Sequence, residues 1–118
     1  MARATILLVE DRDLAALLQC VLRSAGYRVL ICRTGRHALQ ICGRLGLKIE
    51  LVLTTFLLPD TDGAELAVQL KNAHPHLKII GMSIYQASAT RFAGCGIAFL
   101  QKPFSYAELI ARIREVIG

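Results

Sequence analysis

No stretch of this sequence is apolar for long enough to span a bilayer. The four large apolar residues that follow Met1-Ala2-Arg3-Ala4-Thr5 make too short a block for a signal peptide, so a cytoplasmic protein with no membrane span is expected. The four cysteines, Cys20, Cys32, Cys42 and Cys95, form no C-x-x-C pair. That removes the usual zinc and dithiol-redox spacings and leaves four reduced core thiols as the expectation. His37, His74 and His76 likewise build no metal-type cluster. Lys and Arg outnumber Asp and Glu by 14 to 9, for a net charge of +5. These bases nevertheless run from Arg3 to Arg114 without a cluster, and no second helical module is left over to read a groove. Direct nucleic-acid binding is not expected, and the surplus charge favours an acidic partner or solubility alone. Repeats, low-complexity tracts and linkers are missing too.

What is present is a chain of 118 residues, 54% of them hydrophobic. This fits one domain, 1–118, with strands buried on both faces. Ile6-Leu7-Leu8-Val9 is a continuous apolar run and stops at Glu10-Asp11-Arg12-Asp13. Leu14, Leu17, Leu18, Val21 and Leu22 then recur at helical spacing up to Gly26. Val29 to Cys32 is a second strand, and Thr34 caps a helix whose inner face is Ala38, Ile41, Cys42 and Leu45, stopped by Gly46. Ile49 to Thr54 is a third strand. Asp62-Gly63-Ala64-Glu65 reads as a capping box that opens a helix with Leu66, Ala67 and Leu70 inward, closed by Pro75. Lys78 to Ser83 is a fourth strand.

Gln86 to Ala93 has Phe92 as its only large apolar side chain, so a short and poorly anchored helix is expected there. Ile97 to Leu100 is the fifth strand. Ser105 and Glu108 form a second capping box, which opens a helix with Leu109, Ile110, Ile113, Val116 and Ile117 on one face. Five strands alternating with helices over short connections imply an α/β parallel sheet covered on both faces. In such a sheet functional groups collect outside the carboxyl ends of the strands. Those ends carry Glu10, Asp11, Thr55, Ser83 and Lys102. Carboxylates suit a hard cation such as Mg2+, while Ser and Lys suit an oxyanion. A metal-free phosphate cradle is disfavoured, because the turn after the first strand is acidic rather than rich in glycine and hydroxyls.

Taken together, Ile6 to Asp11, Gly26 to Leu30, Glu50 to Gly63, Ile79 to Ser83 and Phe99 to Phe104 resemble the receiver domain of bacterial two-component response regulators, over essentially the whole chain. The resemblance implies a flavodoxin-like three-layer sandwich with strand order 2-1-3-4-5. It implies that Glu10 and Asp11 match the acidic pair that binds Mg2+, that Ser83 and Lys102 match the groups that sense and contact a phosphoryl group, and that Phe99 matches the switch aromatic. It also implies that Pro103 follows a commonly cis bond. Position 55 matches the phosphorylated aspartate, and it is threonine.

A threonine hydroxyl is neutral, needs a base, and would form a stable ester rather than an acyl phosphate. Its presence also removes the third carboxylate of the cation site and leaves only a weakened Mg2+ site at Glu10 and Asp11. Asp60 and Asp62 lie beyond Pro59, and Asp62 is committed to its cap. The expectation is therefore a degenerate receiver, or pseudo-receiver, of a phosphorelay signal-transduction system. It would be no enzyme, and would act through contact with a histidine kinase or other signalling protein in cis or in trans. A homodimer stays open, although the interval from Ser83 to Lys102 is shorter than the family pattern and implies a shortened or irregular fourth helix. Two alternatives remain beside this one: weak Mg2+-dependent phosphoryl chemistry on Thr55, and a flavodoxin-like binding module without metal.

Overall fold

The computed structural model describes residues 3–118, apart from the side chain of Leu47. Met1 and Ala2, which begin the segment read above as too short for a signal peptide, lie outside the described residues. The strands are β1 (Thr5–Val9), β2 (Arg28–Cys32), β3 (Leu51–Thr55), β4 (Lys78–Ser83) and β5 (Ala98–Gln101). The helices are α1 (Arg12–Ser24), α2 (Gly35–Leu45), α3 (Gly63–Ala73), α4 (Gln86–Gly94) and α5 (Tyr106–Ile117), with a 3-10 turn at Gly46–Lys48. All the strand pairings are parallel, in the order β2-β1-β3-β4-β5. Two of the expected strands are displaced, β3 to Leu51–Thr55 and β5 to Ala98–Gln101. Continuous apolar runs mark a buried strand without marking its ends, which the ladder pairing sets.

Alternation along each strand divides the core into two halves, because successive side chains point to opposite faces. Ile6, Leu8, Leu51, Leu53, Ile80 and Met82 face α1 and α5, where they meet Leu18, Leu22, Leu109 and Ile113. Leu7, Val9, Val52 and Ile79 face the other way, against Ala38 and Cys42 of α2, Leu66 and Leu70 of α3 and Phe92 of α4. Each fully buried leucine or isoleucine contributes about 1.5–3 kcal/mol relative to exposure, and strand and helix side chains share the two core halves. The helix stripes are narrower than the sequence pattern implies. Leu17, expected on the inner face of α1, is 50% exposed, and Ala15 takes its place in the core. Burial there follows the i, i+3, i+7 row through Ala15, Leu18 and Leu22, and Leu17 falls off its edge.

The helix termini explain where each element begins. Asp11, Thr34, Asp62 and Ser105 each accept a hydrogen bond from the backbone N–H three residues on, satisfying donors that the first turn leaves unpaired. Ser105 and Glu108 form a complete reciprocal box. The Asp62-Glu65 box is only half made: Glu65 receives a hydrogen bond from Gln69 at 3.3 Å instead of reaching back to the cap. At the other end of α2, Gly46 adopts φ 54°, a left-handed conformation that costs glycine least.

The expectation of a poorly anchored α4 is overturned. The helix is short, nine residues, but regular, and Phe92 is wholly buried. Its ring packs edge-on to Phe56 at 5.6 Å and tilted against Phe99 at 6.0 Å. It lies directly over Gly81 of β4, where any Cβ would collide with it. One large side chain seated on a glycine does the anchoring that a long stripe does elsewhere, and local composition does not reveal such a partner. The cysteines are also less uniform than expected. Cys32 and Cys42 are buried core thiols, Cys95 is half-buried and Cys20 is exposed.

Candidate functional site

The strand register brings the polar residues together at one edge of the sheet. Val9 pairs with Thr54 and Thr55 with Met82, while Ser83 pairs with Gln101. Glu10, Thr55, Ser83 and Lys102 therefore emerge side by side. They border a cleft of about 700 Å³ that also takes in Asp11 and Arg33.

Glu10 turns inward and is only 2% exposed. Its Oε1 accepts from the Asp11 N–H at 3.0 Å, and its Oε2 forms an ion pair with Lys102 Nζ at 2.7 Å. Lys102 Nζ also donates to Thr55 Oγ1 at 3.0 Å. The lysine is held by its own backbone N–H, which donates to Ser83 O at 2.9 Å. Gln101 Nε2 donates to both Lys102 O and Ile84 O. The Lys102–Pro103 peptide bond is cis. Burial of this ion pair is tolerable because each carboxylate oxygen has a donor.

The other expected residues are placed as follows. Asp11 is exposed, and its Oδ1 accepts from Leu14 N at 3.1 Å. Ser83 is 3% exposed; its Oγ accepts from Tyr85 N at 3.0 Å and pairs with Ser88 Oγ at 3.1 Å. Its hydroxyl is thus engaged by the first turn of α4 instead of facing the cleft freely. Phe99 is half-buried and packs on Phe92 inside the core.

Asp60 and Asp62 are both committed elsewhere. Asp60 accepts from the backbone N–H groups of Gly35 and Arg36, each at 2.9 Å, which tethers the β3–α3 loop to the start of α2. Those two bonds hold its carboxyl below the usual carboxylate range. Asp62, besides capping α3, pairs with Arg91 at 3.1 Å, and the Arg91 guanidinium also lies 5.5 Å from the Phe56 ring centre.

Three participants are missing from the expectations above: Arg33, Ser88 and the Asp60 tether. Arg33 was legible in principle, since strand order 2-1-3 sets the residue after Cys32 next to Glu10. Ser88 and Asp60 act through spatial neighbours that no spacing rule connects.

The donor set fits Mg2+ poorly. A hard cation needs several oxygen ligands, and here one carboxylate is paired with an ammonium, one caps a helix, and the third position offers only a hydroxyl. Among the described residues no group of three or more His, Cys, Asp or Glu could hold a metal.

A family model described as the response regulator receiver domain matches residues 6–114. The sensor kinase CckA of Brucella abortus is 35% identical over 97% of this chain, which spans 12% of that protein. The transcriptional regulatory protein CpxR of Klebsiella pneumoniae is 31% identical over 95% of the chain, which spans 48% of it. The chain thus spans half or less of both relatives' length. Among solved structures, the receiver domain of sensor histidine kinase PA1611 from Pseudomonas aeruginosa PAO1, with a magnesium ion coordinated in its active-site cleft, superposes with a TM-score of 0.86. Its identity is 29%, and 99% of each chain is covered.

Proposed function

The chain belongs to the response regulator receiver domain family, and from that premise we propose that it is a degenerate receiver of a two-component phosphorelay. Residues 1–118 form one receiver-like unit that signals through protein contact and takes no phosphoryl group on aspartate. The observation that carries this reading is the hydroxyl of Thr55, which accepts from Lys102 at the strand end where an acceptor carboxylate would stand. Lys102, freed of such a partner, is held by Glu10 instead. Glu10 and Asp11 alone bind Mg2+ weakly, and Ser83 and Lys102 keep the places of the phosphoryl-sensing pair without a phosphoryl group to sense. Phe99 stacks against the buried ring of Phe92, which opposes its use as a mobile switch.

The partner is a histidine kinase or another cytoplasmic signalling protein, in cis or in trans, and a homodimer is compatible with the fold. Among the described residues no helix is long and apolar enough to cross a membrane. The domain is no enzyme. Phosphoryl chemistry on Thr55 is disfavoured because Glu10, the carboxylate that shares Lys102 with it, already has a donor on each oxygen, and Asp11 is engaged as the α1 cap.

Incubation with Mg2+ and a small phosphodonor, followed by intact mass before and after hydroxylamine, tests this reading. No mass gain is expected. A hydroxylamine-stable adduct on Thr55 would instead establish an esterifying enzyme, and a labile adduct on a carboxylate would overturn both readings.

A further inference from the structure

The charges around the cleft balance in an unexpected way. The buried carboxylate of Glu10 is neutralised by Lys102. The open charges that remain are Asp11, with one oxygen engaged as the α1 cap, and Arg33, which is exposed and pairs with no carboxylate among the described residues. With threonine at position 55 the cleft therefore carries no net negative charge, so the acidic turn that was expected to disfavour a metal-free phosphate no longer does, and the electrostatic need for a cation is gone.

Hydrogen-bond donors remain over. Thr34 Oγ1 accepts from His37 N at 3.0 Å and Thr55 Oγ1 accepts from Lys102 Nζ at 3.0 Å, so each hydroxyl still has a proton to donate. Together with the Arg33 fork these groups suit an oxyanion.

Above this polar floor stands an apolar rim. Leu57, Ile84 and Tyr85 are 63%, 59% and 53% exposed, and Pro59 lines the same cleft. Large apolar side chains grouped around a concavity mark something to be covered. The volume, about 700 Å³, is that of a small-molecule site, and the cleft lies at the β1/β3 position where the sheet changes winding direction.

We propose that this cleft binds, without a metal ion, a small molecule that carries an oxyanion on an apolar body. The oxyanion is a phosphate monoester or a carboxylate, seated on Arg33, Thr34 and Thr55, with its apolar part against Leu57, Ile84 and Tyr85. The inference rests on the reading of the cleft as metal-poor, and its test is separate from that reading's test.

The probes are 1-naphthyl phosphate and 1-naphthoate, titrated into the full chain in EDTA buffer and followed by backbone amide shifts, with 1-naphthol and inorganic phosphate as controls. At least one naphthyl anion is expected to saturate at one-to-one and to shift Thr34, Thr55 and Tyr85. Whichever anion is tighter identifies the headgroup. Each control is expected to bind about tenfold or more weakly, because it lacks either the charge or the body. Arg33→Gln should weaken binding about tenfold. Tyr85→Ser should weaken it several-fold while keeping the fold, since position 85 is the uncapped N-terminus of α4 and serine is a favourable cap.

Failure of both anions to bind, equal binding to Arg33→Gln, or shifts confined to the neighbouring depression around Arg12 and Gln19 would each overturn the proposal. A strict requirement for Mg2+ would also overturn it. A direct Mg2+ titration of the free protein reports on the metal-poor reading by itself, so the two failures are told apart.

Discussion

Lys102 Nζ lies 2.7 Å from Glu10 Oε2, and the two residues come from opposite ends of the chain. Glu10 is the more deeply buried partner, with 2% of its side chain exposed against 16% for the lysine. Lys102→Met therefore strands a carboxylate in a low-dielectric site and should destabilise the fold by about 3 kcal/mol. Adding Glu10→Gln to that variant should restore most of the loss, as measured by urea unfolding. A double variant no more stable than Lys102→Met would show that the pair is not coupled.

Thr55→Asp would place a third carboxylate beside Glu10 and Asp11 and draw Lys102 from Glu10. Mg2+ affinity should rise at least about tenfold, equivalent to 1.4 kcal/mol, and a small phosphodonor should then give a hydroxylamine-labile adduct. Titration and intact mass read the two effects separately. Tighter Mg2+ binding without labelling would place the fault in Ser83, whose hydroxyl is tied to Ser88.

The Phe92–Gly81 contact predicts non-additive energetics. Phe92→Ala should cost about 3–5 kcal/mol as a cavity beneath α4. Gly81→Ala should cost about 1–3 kcal/mol by forcing a methyl into the ring. Combining Gly81→Ala with Phe92→Leu should cost less than the sum of the single losses, because the smaller side chain gives up the space that the methyl needs. Strict additivity in denaturation midpoints would contradict this packing.

Asp60 predicts a pH dependence. Its folded-state carboxyl is held below the ordinary value of 3.8 by the Gly35 and Arg36 N–H groups. Its contribution is therefore present above that value and is lost as pH falls through the lower folded value. Asp60→Asn should lower the thermal midpoint at pH 7, and the gap from the parent should narrow on acidification below about pH 4. A gap that does not change with pH would argue against the tether.

The thiols predict ordered reactivity. Burial pushes Cys32 up to about 12 and Cys42 up to about 11. Both should resist iodoacetamide at pH 8 in the folded protein and react only on unfolding, whereas exposed Cys20 should be alkylated first. Both values are raised above 9.0, so the unfolded chain releases these protons first, and stability should decline as pH rises above that value. Peptide mass mapping over a time course reads the order directly.

Much of the fold was legible because apolar runs and helix caps are local signals. Ile6 to Val9, Lys78 to Ser83 and the Ser105 box all stand where pattern and cap chemistry put them. The α4 anchor was not legible: Phe92 looks isolated in its own segment and finds its support in Gly81 and Phe56 across the fold. In the site, the residue types at the strand ends were readable, but their engagements were not. Asp60 serves α2, Ser83 serves α4 and Arg33 pairs with no carboxylate among the described residues, because hydrogen-bond partners are set by where loops return in space.

Sequence alone determined the alternating β/α order and the threonine at position 55, since periodicity and residue identity are properties of the chain. Only the tertiary structure decided what that threonine does. The parallel register brought Lys102 over Thr55 and Glu10, and the half-buried ammonium pairs with the buried carboxylate that needs neutralising. That choice leaves the cleft with a neutralised floor and, at its side, an arginine with no carboxylate partner among the described residues.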